Sequence, residues 1–533
     1  MIRINQIKCP IPHKESDLTD KIKKILHLKS KEPITYEIVK KSIDARKKPE
    51  LFMVYSVNVK HEQEDLILKR NKSSSVMRVK EEKYCFPAVG SKKLKHRPII
   101  VGAGPAGLFA AYQLALCGYA PIVIERGKPV EERRWDVDTF FATGVLNPDS
   151  NVQFGEGGAG TFSDGKLNSV VKDPSGRNRF VLETLVHFGA GPQILYDSKP
   201  HIGTDVLQDV ILQMRRFLIE KGTSFYFHTK LEELCIERGK LIGIRTSQGY
   251  FDCEVLVLAI GHSARDTFVM LKENKLPMEA KNFAVGFRVE HPQQMMNEAL
   301  YGKQRISLPA APYKVTANFP NQRGVYSFCM CPGGYVVNAS SEEKASCVNG
   351  MSYSGRNGKN ANSAIIVSVT KEDFVRETSG DASDPLLGMY YQRRLEQKNY
   401  ILGKGLIPQQ LFGDYMDNKL SSSYGDFSSE TKGGTVFSNL RGLLTFDMEE
   451  TFMAGMAHFA NIIPSFDRRD AILSGMETRT SSPVRILRGE RGESEIQGIY
   501  PCGEGAGYAG GIMSAAIDGL KIASYIMEQY GPL

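Results

Sequence analysis

Near the start of the chain, apolar residues recur at helical spacing. In DLTDKIKKILHL, Leu18, Ile22, Ile25 and Leu26 share one face and predict a helix. ITYEIVKKSIDAR predicts a second helix. ELFMVYSVNVK is rich in β-branched and aromatic residues, alternates at its end and predicts a strand. Residues 1–95 therefore read as a small α+β unit, closed by the Gly-, Ser- and Lys-rich linker AVGSKKLKHRP. The pattern then changes. PIIVGAGPAGLFAAYQLALCGYAPIVIERG predicts a short apolar strand at 99–101, a glycine turn, an apolar helix over 108–116 and a second strand at 122–124. GTDVLQDVILQMRRFLIEKG predicts an amphipathic helix with Val206, Val210, Ile211, Met214 and Leu218 on one face. SFYFHTKLEELCIERGKLIGIRTSQGYFDCEVLVLAIG predicts successive strands with turns at Gly239 and Gly249. Its last strand, VLVLAIG, is wholly apolar. Residues from about 265 to 490 mix strands such as AIIVSV with helices such as YYQRRLEQKNYIL, with no internal repeat.

The chain has 533 residues, which implies two or three domains, and its 41% hydrophobic content supplies sizeable cores. No apolar run is long enough to span a bilayer, and MIRINQIKCPIPHKESD has no apolar signal core, so a cytoplasmic protein without a membrane partner is expected. Nine dispersed cysteines do not form a disulfide framework, and no Cys/His group has metal-ligand spacing. The net charge of +8 is uneven. Residues 1–95 hold 23 Lys and Arg against 12 Asp and Glu, and the rest holds 45 against 48. A basic unit of this kind suits either an acidic partner or a solvated face. It lacks interleaved aromatics, so nucleic acid is not the expected partner.

The candidate chemistry begins at Gly102, Gly104 and Gly107, which fit G-x-G-x-x-G between a strand and a helix, with Glu125 at the end of the next strand. The first glycine suits the tight turn, the second lets backbone approach a pyrophosphate, and the third lets helix pack on strand. The helix N-terminus offers unpaired N–H groups to phosphates. Glu125 can accept from a ribose diol. YPCGEGAGYAGGIMSAAIDG, residues 500–519, places six glycines where a helix interior would pay roughly 1 kcal/mol for each. FGEGGAGTFSDGKLN, residues 154–168, adds five more glycines with Ser163, Asp164 and Lys166, a loop able to wrap phosphates.

This layout resembles FAD enzymes of the glutathione-reductase type, in which the fingerprint holds the ADP half and a C-terminal strand ending in Gly-Asp returns to the flavin half. Gly503 and Glu504 stand where Gly-Asp stands in that group, with Glu in place of Asp. Over roughly residues 50–530, the stretches NVQFGEGGAGTFSDGKL, LAIGHSARDTF, AVGFRVEHPQ, VYSFCMCPGGYVV, VNGMSYSGRNGKNANSAIIVSV and GMETRTSSPVRI also resemble the FAD-dependent dehydrogenases known as NAD(FAD)-utilizing dehydrogenases. The resemblance implies a two-lobed flavoprotein with a small N-terminal domain, and names no substrate.

The expected cofactor-binding set is Gly102, Gly104, Pro105, Ala106, Gly107, Glu125 and Arg126 from the fingerprint; Gly160, Ser163, Gly165 and Lys166 from the glycine loop; Gly261; and Gly503, Glu504, Gly511, Ile512 and Met513 from the terminal stretch. Catalytic candidates are His262 as a general acid or base, Arg265, Lys166 beside the flavin, and Arg479 as a clamp on a substrate carboxylate. His262 and Arg479 suit loop-capping and loop-anchoring roles equally. Arg288, Glu290 and His291 form a second polar cluster. Cys329 and Cys331 are either a redox dithiol or inert, substrate-lining thiols.

The expected fold class is α/β: a Rossmann-type FAD-binding domain (96–265 and 491–533), an inserted mixed α+β lobe (266–490) and the N-terminal α+β domain (1–95). The expected activity is an FAD-dependent oxidoreductase that passes a hydride between a small-molecule substrate and FAD. No second nucleotide fingerprint exists, so NAD(P)H would dock transiently. The alternatives are a flavin-dependent RNA-modifying protein and a non-catalytic flavin-binding protein. The sequence leaves oligomeric state open.

Overall fold

The structure is a computed structural model that describes residues 1–80, 83–168, 173–303, 307–320 and 323–533. It is mixed α/β. At its centre lies a five-stranded, all-parallel sheet with the strand order Ile499–Pro501, Leu256–Leu258, Ile99–Val101, Ile122–Ile124, Ser224–Tyr226. These strands are short and almost wholly apolar, as sheets covered on both faces require. The first strand in that order comes from the far end of the chain, so the sheet is complete only when the last 35 residues return to it.

Helices Pro105–Leu116 and Ile512–Gln529 cover one face and pack on each other. They approach closely enough that a Cβ on Gly519 would lie 2.1 Å from the Ala106 carbonyl oxygen. The helix Thr204–Glu220 adds Leu207, Val210, Ile211, Met214 and Leu218 to the same core. A three-stranded antiparallel meander, Leu231–Glu237, Lys240–Thr246 and Gly249–Asp252, follows.

The chain leaves this unit through strand Met278–Ala280 and returns through Val484–Ile486, which pairs antiparallel with it. Between them lies a seven-stranded sheet ordered Thr316–Asn318, Gly324–Cys331, Asn360–Val369, Phe283–Pro292, Ile472–Glu477, Ile407–Leu411, Thr435–Phe437. Its pairings are antiparallel except the last. The central strand Phe283–Pro292 is buried along nearly its whole length, and helix Phe446–Ala460 sends Met448, Phe452, Met456 and Phe459 into the core beneath it.

The N-terminal unit is a four-stranded antiparallel sheet, ordered Thr35–Lys47, Glu50–Lys60, Ile2–Pro10, Val76–Arg78. Helix Glu15–Leu26 buries Leu18, Ile22 and Leu26 against it. The helix expected over 34–46 is instead the long strand Thr35–Lys47. A register shift between Ile38 and Lys40 interrupts its alternation. The interruption leaves Ile34 with Ile38, and Val39 with Ile43, at four-residue spacing, which imitates a helix face. This strand's outer edge is paired: the Lys41 amide donates to the Tyr196 carbonyl at 2.7 Å and the Ser198 amide to the Lys41 carbonyl at 2.9 Å.

Candidate functional site

A cavity of about 340 Å³ opens at the carboxyl ends of the parallel strands, where ligands collect in open α/β sheets. Four segments far apart in sequence meet on it. The fingerprint brings Gly102, Gly104, Pro105 and Ala106; the glycine loop brings Gly158, Gly160, Ser163 and Lys166; the turn after Leu256–Leu258 brings Gly261 and His262; the terminal stretch brings Glu504, Gly510, Gly511 and Ile512. Glu125, Arg126 and Arg479 also line it.

The glycines divide into two kinds. Some exist because protein lies against them. A Cβ on Gly107 would sit 1.9 Å from the Gly102 carbonyl oxygen, one on Gly505 would sit 2.5 Å from that of Gly261, and one on Gly507 2.8 Å from that of Val484. Others face the cavity. A Cβ on Gly104 would meet only Gly158 Cα, at 3.8 Å, and one on Gly510 or Gly511 would meet no described atom within 4 Å. The glycines of the terminal stretch thus do different work: Gly505 and Gly507 serve packing, and Gly510 and Gly511 leave the open space.

Several expected residues lie beneath the cavity lining. Gly107, Gly165, Gly503 and Met513 are not on its wall, and Met513 is a core residue. The Gly503 amide donates to Asp518 Oδ2 at 2.8 Å, and Asp518 is held by Arg488 through Nη2–Oδ1 at 2.6 Å, which pins the terminal loop onto its own helix. Arg265 does not reach the cavity. Its guanidinium is 2% exposed and committed to Glu396, with Nη2–Oε1 at 2.7 Å and Nη1–Oε2 at 2.9 Å. Arg479 reaches the wall but is nearly spent: it donates to Glu396 at 3.0 and 2.8 Å, to Ser263 Oγ at 3.0 Å and to Ser341 Oγ at 2.5 Å. Arg126 is likewise tied to Asp266 at 2.8 Å and stacked over Phe154, 4.5 Å from the ring centre.

Glu125 organises the floor. Its Oε2 accepts from the Ala103 amide at 2.8 Å, and its Oε1 from the amides of Gly127 at 2.9 Å and Gly155 at 3.1 Å. One carboxylate therefore ties the fingerprint to the glycine loop. Arg133, fully buried on helix Val130–Thr143, holds that loop from behind. It donates to the carbonyls of Asn151 (2.9 Å), Val152 (3.0 Å), Gly155 (3.2 Å), Glu156 (2.7 Å) and Gly158 (2.9 Å). Nothing in the sequence marked Arg133, because its partners are backbone oxygens.

Three groups on the wall, His262, Glu504 and Lys166, depart from their ordinary proton affinity. Burial, reinforced by the cations of Arg479 and Arg265, pushes the His262 imidazole down to about 3. It is neutral near pH 7 and hydrogen-bonds through Nδ1 to Ser263 Oγ at 2.9 Å. Burial raises Glu504 to about 7, against the pull of Lys281. Glu504 thus has the proton affinity that general acid–base work near neutral pH needs, and His262 does not. Lys166 Nζ lies 3.2 Å from Asp164 Oδ2; burial opposes its charge most strongly, but Asp164 together with Cys331 and Cys329 outweighs it and raises the ammonium. Asp164 also holds Arg356 from the second lobe, with Nη2–Oδ2 at 2.5 Å. Cys329, Phe328 and Asn349 complete the wall on that side.

Residues 282–480 match the family model described as "FAD-dependent protein, C-terminal domain-like". Residues 1–60 match "Domain of unknown function (DUF8436)". A Clostridium beijerinckii protein described as "Uncharacterized protein" is 44% identical over 537 residues, covering 99% of each chain. The chain belongs to the same family as that clostridial protein, and its second lobe is similar to the C-terminal domain of FAD-dependent proteins. Among solved structures, E. coli quinol fumarate reductase FrdA aligns over 82% of this chain and 70% of its own, at 11% identity and a TM-score of 0.35. L-proline dehydrogenase from P. horikoshii aligns over 82% and 94%, at 13% identity and a TM-score of 0.34. Likenesses at these scores carry no argument.

Proposed function

We propose that this chain is an oxidoreductase that holds FAD in the cavity and passes a hydride between a small-molecule substrate and the flavin, with NAD(P)H as a transient electron partner. The narrower likeness to NAD(FAD)-utilizing dehydrogenases is part of this reading. The observation that carries it is convergence: Gly104 and Gly510, some four hundred residues apart in sequence, face one open space at the carboxyl edge of a parallel sheet.

The residues present fit the group. The helix opening at Pro105, capped by Gly104, supplies free N–H groups and positive potential to a pyrophosphate. A carboxylate has roughly four acceptor sites; Glu125 uses one on Oε2 and two on Oε1, so Oε2 keeps one for a ribose hydroxyl. Ile512, at the start of helix Ile512–Gln529, adds an apolar part of the wall. When bound, FAD supplies two-electron chemistry at its isoalloxazine ring. The chain's own residues orient, exclude water and manage a proton. Lys166 offers a cation at the wall, His262 a neutral hydrogen bond, and the Glu504 carboxyl holds or releases a proton near pH 7. Arg479 anchors the wall through Glu396.

The test is anaerobic mixing of the flavin-loaded protein with NADH, NADPH and panels of amino, hydroxy and unsaturated acids, read as bleaching of flavin absorbance. Bleaching by any of them, slowed in Glu504→Gln, is the expected result. A flavin that dithionite reduces but that none of these bleaches would leave a flavin-binding protein without this activity.

A further inference from the structure

Cys329 and Cys331 end the strand Gly324–Cys331, on the second-lobe side of the cavity. Three features set them apart from the other cysteines. First, the strand bulges there. Phe328 pairs with Ala364 and Cys331 with Asn362, so two residues of this strand oppose one of its neighbour. Cys329 takes a left-handed φ of +44°. Bulges re-aim side chains and cluster beside active sites, and here the bulge brings Cys329 to the cavity wall while Cys331 stays fully buried.

Second, the pair sits among charged groups. Arg288, fully buried and paired with Glu477 at 2.8 Å, sends Nη2 to the Cys329 carbonyl at 2.5 Å and to Cys331 Sγ at 3.4 Å. Lys166 acts on both sulfurs from the glycine loop, and Asp164, Glu477 and Glu504 are the acidic groups in range. Third, the sulfurs are coupled. The Cys331 thiol donates to the Cys329 carbonyl at 3.2 Å, and the Cys331 side chain has the largest effect on the Cys329 thiol. Burial opposes, Lys166 and Arg288 add to it, and the Cys329 thiol is held well below its ordinary range while Cys331 is raised. A lowered thiol on the cavity wall beside a raised, buried one is the arrangement of a reduced disulfide couple. In a regular strand, residues two apart lie about 6.7 Å apart, at the upper edge of the roughly 4.4–6.8 Å that disulfides span. The left-handed turn at Cys329 departs from that extended path.

We propose that Cys329 and Cys331 form a second redox centre that exchanges two electrons with the flavin by cycling between a thiolate–thiol pair and a disulfide. In the oxidising direction the Cys329 thiolate and the Cys331 thiol give up two electrons and one proton as the Sγ–Sγ bond forms. A bound oxidised flavin would supply the acceptor for the two electrons and the proton, and Lys166, on the same wall, would offset the charge that results. The reverse step breaks the Sγ–Sγ bond and returns the flavin to its oxidised state. This inference rests on the flavin reading above for the electron partner, but the thiol pair can be measured without it.

The experiment treats the whole protein with diamide, removes the oxidant, and titrates with dithionite under anaerobic conditions while counting thiols and mapping the peptide that carries both cysteines. The expected result is uptake of about four electron equivalents per flavin, two for the ring and two for the disulfide. The mapped peptide should be lighter by two hydrogens after diamide, and Cys331→Ser should take up only about half as much reductant. Equal uptake by wild type and Cys331→Ser, with an unchanged peptide mass, overturns the proposal. If the protein carries no flavin, the absorbance readout fails, yet peptide mass and thiol count still decide whether the disulfide forms, so the two readings fail separately.

Discussion

Replacing Glu396 with alanine is expected to cost about 3–5 kcal/mol of stability, the range for removing one partner of a buried ion pair. Glu396 is fully buried on helix Leu387–Leu402 and joins Arg265, just after the cavity turn, to Arg479, just after strand Ile472–Glu477. Thr478 Oγ1 adds a bond at 2.7 Å. Removing the carboxylate leaves the buried Arg479 guanidinium without a charged partner, beside Arg265, which keeps only Glu342. Burial alone would raise this carboxyl, but Arg265 and Arg479 outweigh it and hold it well below the usual range. The sign follows. A depressed carboxyl stabilises the fold above its unfolded pKa of roughly 4.3, and the contribution fades as pH falls from there toward the folded value. Urea unfolding of wild type and Glu396→Ala should therefore differ most at neutral pH and converge in acid. A midpoint unchanged at neutral pH would show that the triad holds nothing.

The second large effect is expected at Arg133. Arg133→Leu strips the carbonyls of Asn151, Val152 and Glu156 of their donor, while those of Gly155 and Gly158 keep the amides of Gly158 and Thr161; each buried unpaired group costs about 1–3 kcal/mol. Loop 151–158 relaxes to find water, so binding must then pay to order it. If about 2.7 kcal/mol of ordering shifts onto the ligand, FAD affinity falls roughly 100-fold. Arg133→Lys should behave almost as poorly, because an ammonium cannot reproduce one planar fork reaching five acceptors. Flavin fluorescence titration, with circular dichroism as a fold control, measures this. Wild-type affinity in either variant would mean the loop is ordered by other contacts.

The parts of this molecule that could be read from the sequence are those where local spacing carries the physics. Gly102, Gly104 and Gly107 announce a strand, a turn and a helix because the three constraints fall within six residues. The strand over 35–47 misled because one bulge shifted its apolar positions onto a four-residue spacing. The roles of Arg265 and Arg479 were hidden because their common partner, Glu396, lies 131 and 83 residues away in sequence. Arg133 was invisible for a different reason: backbone acceptors leave no trace in residue types. The terminal glycines were legible as a crowd but not individually, since only coordinates separate Gly505 and Gly507, pressed on backbone, from Gly510 and Gly511, which face space. His262 looked like a proton carrier by type alone; burial, together with Arg479 from a distant segment and Arg265 three residues on, makes it neutral.

The most direct measurement of the central claim is flavin content per chain, read by absorbance on gently purified protein, for wild type, Gly104→Val and Gly510→Val. Both glycines border open space, so the fold should tolerate the new side chains while the cavity narrows. The account predicts yellow wild-type protein with about one FAD per chain, and two folded variants that have lost most of it. Colourless wild type that takes up no added FAD, or variants that keep their full colour, would contradict it.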